Sequence, residues 1–199
     1  MLQDEPLVYR APRGRRPTAR VAGGVLLLAL AFAGTRPHAA VGVEAARADG
    51  RQVKAVFLVN FLSFTEWPAA KLPAAPSRLV IAVLGDPAFA AVVEKSAAGR
   101  TVNRRPIVVE AVDTAEAAAG AHLVFIAGSQ SHRLPTVLRA LADASVLTVG
   151  DTDGFAQDGV AINLYTFDNR VRIEVNSTAA ARAGVHLSAS LLRLARIVE

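Results

Sequence analysis

"RLVIAVLGDP" (residues 78–87), followed by "AFAAVVEKSAAG" (residues 88–99), decides how this chain is read. The first stretch is an unbroken apolar run rich in Val, Ile and Leu, so it suits a strand that is buried on both faces. Gly85-Asp86-Pro87 ends it. The second stretch has helical spacing and is closed by Gly99, the residue that most easily adopts the left-handed turn after a helix. A strand apolar on both sides needs helices on both sides, which predicts an α/β architecture.

The same unit recurs downstream. "PIVVEAV" (residues 106–112), "AHLVFIAGS" (121–129) and "ASVLTVGD" (144–151) are further strands, with a turn at Asn103-Arg104-Arg105 and a helix over 134–141 that carries Pro135 in its first turn. Strands separated by helices read as a mainly parallel sheet flanked by helices. Beyond Asp151 the pattern changes. "VAINLYTFDNRVRIEVN" (160–176) alternates with period two around Phe167-Asp168-Asn169-Arg170, as expected of a C-terminal antiparallel β-hairpin. C-terminal helices follow: a short one capped by Asn176 or Ser177 and stopped by Gly184, and a last one over 188–198 with Leu187, Leu191, Leu194 and Val198 on one face.

Upstream lie two apolar stretches. Arg10, Arg13, Arg15, Arg16 and Arg20 precede "VAGGVLLLALAFAG" (21–34), a basic segment leading into an apolar core shorter than the roughly 20 residues of a spanning helix. Cleavage of such a signal peptide is expected near Ala33 or Ala48, where A-x-A patterns stand, so residues 1–48 read as leader and linker and 49–199 as one domain. The second stretch, "VKAVFLVNFLSFTEWP" (53–68), is interrupted by Lys54, Asn60 and Glu66 and stopped by Pro68. Val53, Phe57, Phe61 and Phe64 mark one helical face, and Val56, Val59 and Leu62 widen it to nearly all round, so a buried helix is expected.

Charge follows the same division. Residues 1–40 hold six Arg and two acids, whereas 41–199 hold sixteen Lys or Arg against fifteen Asp or Glu. The domain is therefore nearly neutral, and without a basic patch it is not expected to bind nucleic acid. No cysteine is present, which excludes disulfides, Cys-ligated metals and thiol catalysis in this chain.

In this order, "VKAVFLVNFLSFTEWP", "LVIAVLGDPAFAAVV", "RPIVV", "AHLVFIA", "VLTVGDTDGFAQDGVAINL" and "NRVRIEVNSTAAARAGVHLSASLLRLARIV" resemble the YfiR family of periplasmic proteins over nearly the whole domain, from Val53 to Val198. The resemblance implies an exported α/β protein that is not an enzyme. It also implies a partner: the family's namesake represses an inner-membrane diguanylate cyclase by binding its periplasmic sensor domain, which would make cyclic-di-GMP and biofilm formation the output. A histidine kinase sensor domain and a homodimer are further partner options. The namesake carries cysteines tied to redox control, and their absence here puts that control in doubt.

The chemistry-bearing motifs point away from catalysis and metal binding. Asp151-Thr152-Asp153-Gly154 opens like a calcium loop, but Phe155 and Ile162 stand where ligands are needed. Ser129, Ser131 and His132 cluster after a strand without a G-x-S-x-G elbow. There is no Walker loop, no G-x-G-x-x-G and no paired His spacing, so neither a cofactor nor a metal is expected. Two surfaces remain. At the carboxyl edge of the sheet, Asp86, Ser129, Asp151 and Phe155 form the rim of a ligand crevice, which supports the alternative of a periplasmic small-ligand-binding protein. On the hairpin, Asn163, Tyr165, Arg172, Glu174 and Asn176 form a polar and aromatic patch suited to a protein partner. Glu174 is placed on the solvent side, where reversal to Lys is expected to leave the fold intact.

Overall fold

The computed structural model describes residues 38–72 and 77–199. The signal-peptide reading and its cleavage near Ala33 lie outside the described residues. In chain order the elements are α1 (His38–Phe61), β1 (Thr65–Glu66), β2 (Leu79–Leu84), α2 (Pro87–Ala97), β3 (Thr101–Val102), β4 (Arg105–Val112), α3 (Ala115–Ala118), β5 (Leu123–Ile126), α4 (Leu134–Leu141), β6 (Leu147–Gly150), β7 (Ile162–Phe167), β8 (Arg170–Asn176), α5 (Ser177–Arg182), β9 (His186–Leu187), α6 (Ala189–Leu192) and β10 (Arg196–Val198).

Eight strands form one sheet in the order β10-β8-β7-β6-β5-β2-β4-β3. The central pairs from β4 to β7 are parallel, β8 returns antiparallel beside β7, and β3 turns back on β4. β1 and β9 make a separate two-stranded ribbon. The mainly parallel α/β sheet with helices on its faces is thus the architecture that residues 78–99 announce.

Period two explains the layering. On β2, Leu79, Ile81 and Val83 enter one core with α1 and α2, while Ala82 and Leu84 enter the other with α3 and α4. On β5, Leu123 and Phe125 go to the first and Val124 and Ile126 to the second. Each strand therefore needs apolar residues at every position, and each helix needs only one apolar face. α4 shows the helical counterpart, burying Leu134, Val137 and Leu141 at i, i+3 and i+7. α2 is started by Asp86, whose Oδ1 accepts from the Phe89 N–H at 2.8 Å, and by Pro87 in its first turn.

Three expectations are corrected. α1 begins at His38 and ends at Phe61, short of Trp67; a 3-10 turn over Leu62–Phe64 follows, and Thr65–Glu66 then pair with His186–Leu187. Thr65 Oγ1 donates to the Phe61 carbonyl at 2.7 Å, which ties off the helix end. Nor is α1 buried all round. Ala55, Leu58, Val59 and Phe61 are buried, whereas Val53 and Val56 are 44% and 40% exposed. The third correction concerns residues 188–198. Ser188 caps only the four residues of α6, and the chain then extends into β10 beside β8. Leu194, which the helical reading places on a buried face, is 74% exposed.

His122 stands at the amino end of β5 and is buried. Its Nδ1 accepts from the Val80 N–H at 3.1 Å, and its ring meets Trp67 edge-on with centroids 5.7 Å apart. Trp67 Nε1 donates to the His122 carbonyl at 2.9 Å. Burial, and then the nearby Lys71 ammonium, lower its pKa from the ordinary 6.5. A base whose folded pKa is depressed binds fewer protons folded than unfolded, so stability falls as the pH drops below the ordinary value and levels off below the folded pKa. The melting temperature is accordingly expected to fall between pH 7 and pH 5. His122→Gln, measured over the same range, should lose part of that slope; an unchanged slope would place its origin elsewhere.

Candidate functional site

All the strand ends that carry Asp86, Ser129 and Asp151 belong to parallel strands, so the structure does bring these residues to one edge. That edge is filled by the protein itself. The Arg51 guanidinium forks onto Asp86 with contacts of 2.9 and 3.1 Å and lies over the Phe89 ring at 5.0 Å. One helical turn on, Lys54 Nζ reaches Asp151 at 2.8 Å. Burial alone would push the Asp86 carboxyl up, but Arg51 and the Phe89 N–H outweigh it and hold the pKa below the ordinary 3.8. α1 is thereby tied to the ends of β2 and β6, which flank β5.

Beneath it the backbone leaves little room. Ser129 Oγ donates to the Gly85 carbonyl at 2.9 Å. Gly85 has φ +81°, and a Cβ there would collide with Ser129 and Gln130. Phe155 is buried at 2% exposure and packs against Gly150, where a Cβ would meet its ring. Phe155 is therefore a plug rather than a rim residue. The other serine of the cluster, Ser131, donates to the Gly128 carbonyl at 2.6 Å, and His132 is exposed. Among the described residues no group of His, Asp and Glu is placed to hold a metal ion.

The hairpin patch shares one sheet face, because Asn163 stands opposite Glu174, Tyr165 opposite Arg172 and Phe167 opposite Arg170. The face divides in two. At its inner end Asn163, Glu174 and Asn176 are 0%, 3% and 5% exposed. Asn163 Nδ2 donates to Glu174 at 3.2 Å, and Asn176 donates to the Ala156 carbonyl and caps α5 through the Ala179 N–H, both at 2.8 Å. The loop after β6 thus lies against this end, so these three residues are interior polar groups. The solvent-side placement of Glu174 is corrected: its carboxylate is buried and ion-paired to Arg196, its direct neighbour on β10.

At the outer end the face is open. Tyr165 is half-buried, and Arg170, Arg172 and Phe167 are exposed, Phe167 at 63%. Asp168 and Asn169, with φ of 49° and 58°, make the tight two-residue turn that carries them. The Arg196 guanidinium lies 5.0 Å above the Tyr165 ring, and its side chain remains 59% exposed. Reading the hairpin by itself misses Arg196, because the leucines around it recur with helical spacing; the β-branched run Ile197-Val198 is the signal that could have found it.

A model of the YfiR/HmsC-like family matches residues 51–196. No curated protein matches the chain. Among solved structures, it is similar to a conserved domain protein from Vibrio cholerae O1 biovar El Tor, with 14% identity over 63% of this chain and 56% of that one and a TM-score of 0.49. An ABC domain from Streptococcus pneumonia, solved in complex with L-Trp, shows 11% identity over 72% of this chain and 60% of its own, also with a TM-score of 0.49. The pilus assembly protein CpaE from Caulobacter crescentus shows 24% identity over 54% of this chain and 92% of its own, with a TM-score of 0.32. The chain thus spans less than two thirds of the first two, and none of these likenesses bears on function. Among the described residues no helix is long and apolar enough to cross a membrane.

Proposed function

The chain belongs to the YfiR/HmsC-like family of periplasmic regulators, and from that membership we propose that it is exported with removal of its leader and represses an inner-membrane signalling enzyme, a diguanylate cyclase, by binding its periplasmic sensor domain. The family match over residues 51–196 is the observation that carries this reading. The site geometry supports a binding role: Ser129 and Ser131 direct their hydroxyls to backbone carbonyls, and the carboxyl edge is occupied by Arg51 and Lys54. The same occupancy disfavours the small-ligand receptor, whose crevice would have to form where α1 now lies.

Repression of this kind is a population shift. The regulator must bind the inactive form of its partner more tightly than the active form, and each 1.4 kcal/mol of that preference lost cuts the shift about tenfold. Deleting the gene is expected to raise cellular cyclic-di-GMP and biofilm formation together, and restoring it should lower both. Unchanged cyclic-di-GMP in the deletion, measured across growth conditions, would exclude the cyclase and leave a histidine kinase sensor domain as the partner to test.

A further inference from the structure

We propose that the open half of the hairpin face docks an acidic segment of a protein partner, with Arg170, Arg172 and Arg196 as its cationic donors and Tyr165 and Phe167 as its anchors. The proposal names the contact surface for the regulator reading and rests on it for the kind of partner. Three features of the face carry it. Arg170 and Arg172 are exposed, and among the described residues neither has an ion pair or hydrogen bond from its side chain. Asp168 is the one acid between Tyr165 and Arg172, so the exposed hairpin is net positive and complements an acidic surface. Arg196 is already fixed: the buried Glu174 carboxylate holds it, and the Tyr165 ring supports it from below. A guanidinium has five N–H donors in a rigid fork, so those not spent on Glu174 face solvent in a set direction. Little side-chain freedom is then left to lose on binding.

Composition selects a protein over a bilayer. Tyr, Phe and Arg are enriched at protein interfaces, and Tyr and Arg at their energetic centres. For a bilayer the arrangement is wrong, because the Asp168 carboxylate sits at the turn beside Phe167, where the tip would meet anionic headgroups. Buried Glu174 thus acts as a positioning residue behind the face, and the docking groups are its neighbours.

Photo-crosslinking tests this in living cells, using the full chain with p-benzoylphenylalanine in place of Phe167. Illumination is expected to give an adduct with a periplasmic segment of a membrane protein, and mass spectrometry of the contact peptide should show an excess of Asp and Glu. Combining the probe with R170E and R172E should lower the adduct yield about tenfold. Both changes are at exposed positions, and an unchanged melting temperature will confirm an intact fold. No adduct, an adduct only with lipid or with a second copy of the chain, or a yield indifferent to the two reversals would overturn the docking surface. An acidic contact on a membrane protein that lacks a cyclase domain would uphold the surface and refute the cyclase reading.

Discussion

Glu174→Lys is expected to lower the stability of the protein sharply rather than to act as a surface substitution. Glu174 is 3% exposed, and its carboxylate is met by Arg196 from β10 and by Asn163 Nδ2 from β7. A lysine there would bury an ammonium at a position 3% exposed and set it against the Arg196 guanidinium, whose outer side is open to solvent. Arg196 can be rehydrated, so the cost falls below the figure of about 3 to 5 kcal/mol for a fully buried pair and comes mainly from the ammonium introduced at position 174 and from the Asn163 amide left without its acceptor. The lost pair also removes the side-chain tie at the register partners that start the ladder of β10 with β8. Against a typical domain stability of about 5 to 15 kcal/mol, the loss is a large share. The denaturation midpoint in urea checks it directly. Glu174→Gln, which keeps the shape and an acceptor, should lie between wild type and Lys. Should the lysine variant melt with the wild type, Glu174 would be a surface residue after all. Cyclic-di-GMP rising in this variant would therefore report lost protein, and only exposed substitutions such as R170E and R172E can report lost binding.

How much of this was legible in the sequence follows from how local each signal is. Strands β2, β5 and β6 are short apolar runs between turn residues, buried on both faces, so their pattern is the same whichever way a side chain points; β4, nearer the sheet edge, is only partly buried. α4 was legible to the residue, because Pro135 starts it and Leu134, Val137 and Leu141 define its one face. The strand end at Gly85-Asp86-Pro87 is a local signal, but the partner of Asp86, Arg51, lies thirty-five positions away and nothing in its own segment points there. The hairpin shows the limit most sharply. Its alternation correctly put Asn163, Tyr165, Arg172, Glu174 and Asn176 on one face. Whether that face meets water depends on the loop that brings the Ala156 carbonyl to Asn176 and on a strand twenty-two positions beyond Glu174. The same strand is hidden in the sequence because Leu187, Leu191, Leu194 and Val198 recur with helical spacing, while the chain obeys a non-local pairing instead.

α1 offers the second large effect, and it separates the anchoring face of the helix from the exposed one. Phe61 is 1% exposed, stacks on Phe57 at a centroid distance of 6.0 Å, and belongs to the core that β2, β5 and β6 share with α2. Truncation to Ala removes a buried ring that the packed sheet cannot follow inward, and such changes cost about 3 to 5 kcal/mol through lost burial and the cavity left behind. Phe57 is only partly buried, so Phe57→Ala should cost less than Phe61→Ala. Val56 is 40% exposed on the opposite side, and Val56→Ala should stay within about 0.5 kcal/mol. The order Phe61, Phe57, Val56 in urea midpoints is thus a direct reading of which way the helix faces. Equal effects at Phe61 and Val56 would mean that the helix is rotated or covered in solution. A normal midpoint for Phe61→Ala would remove α1 from the core altogether, and with it the support that holds Arg51 and Lys54 over the carboxyl edge of the sheet.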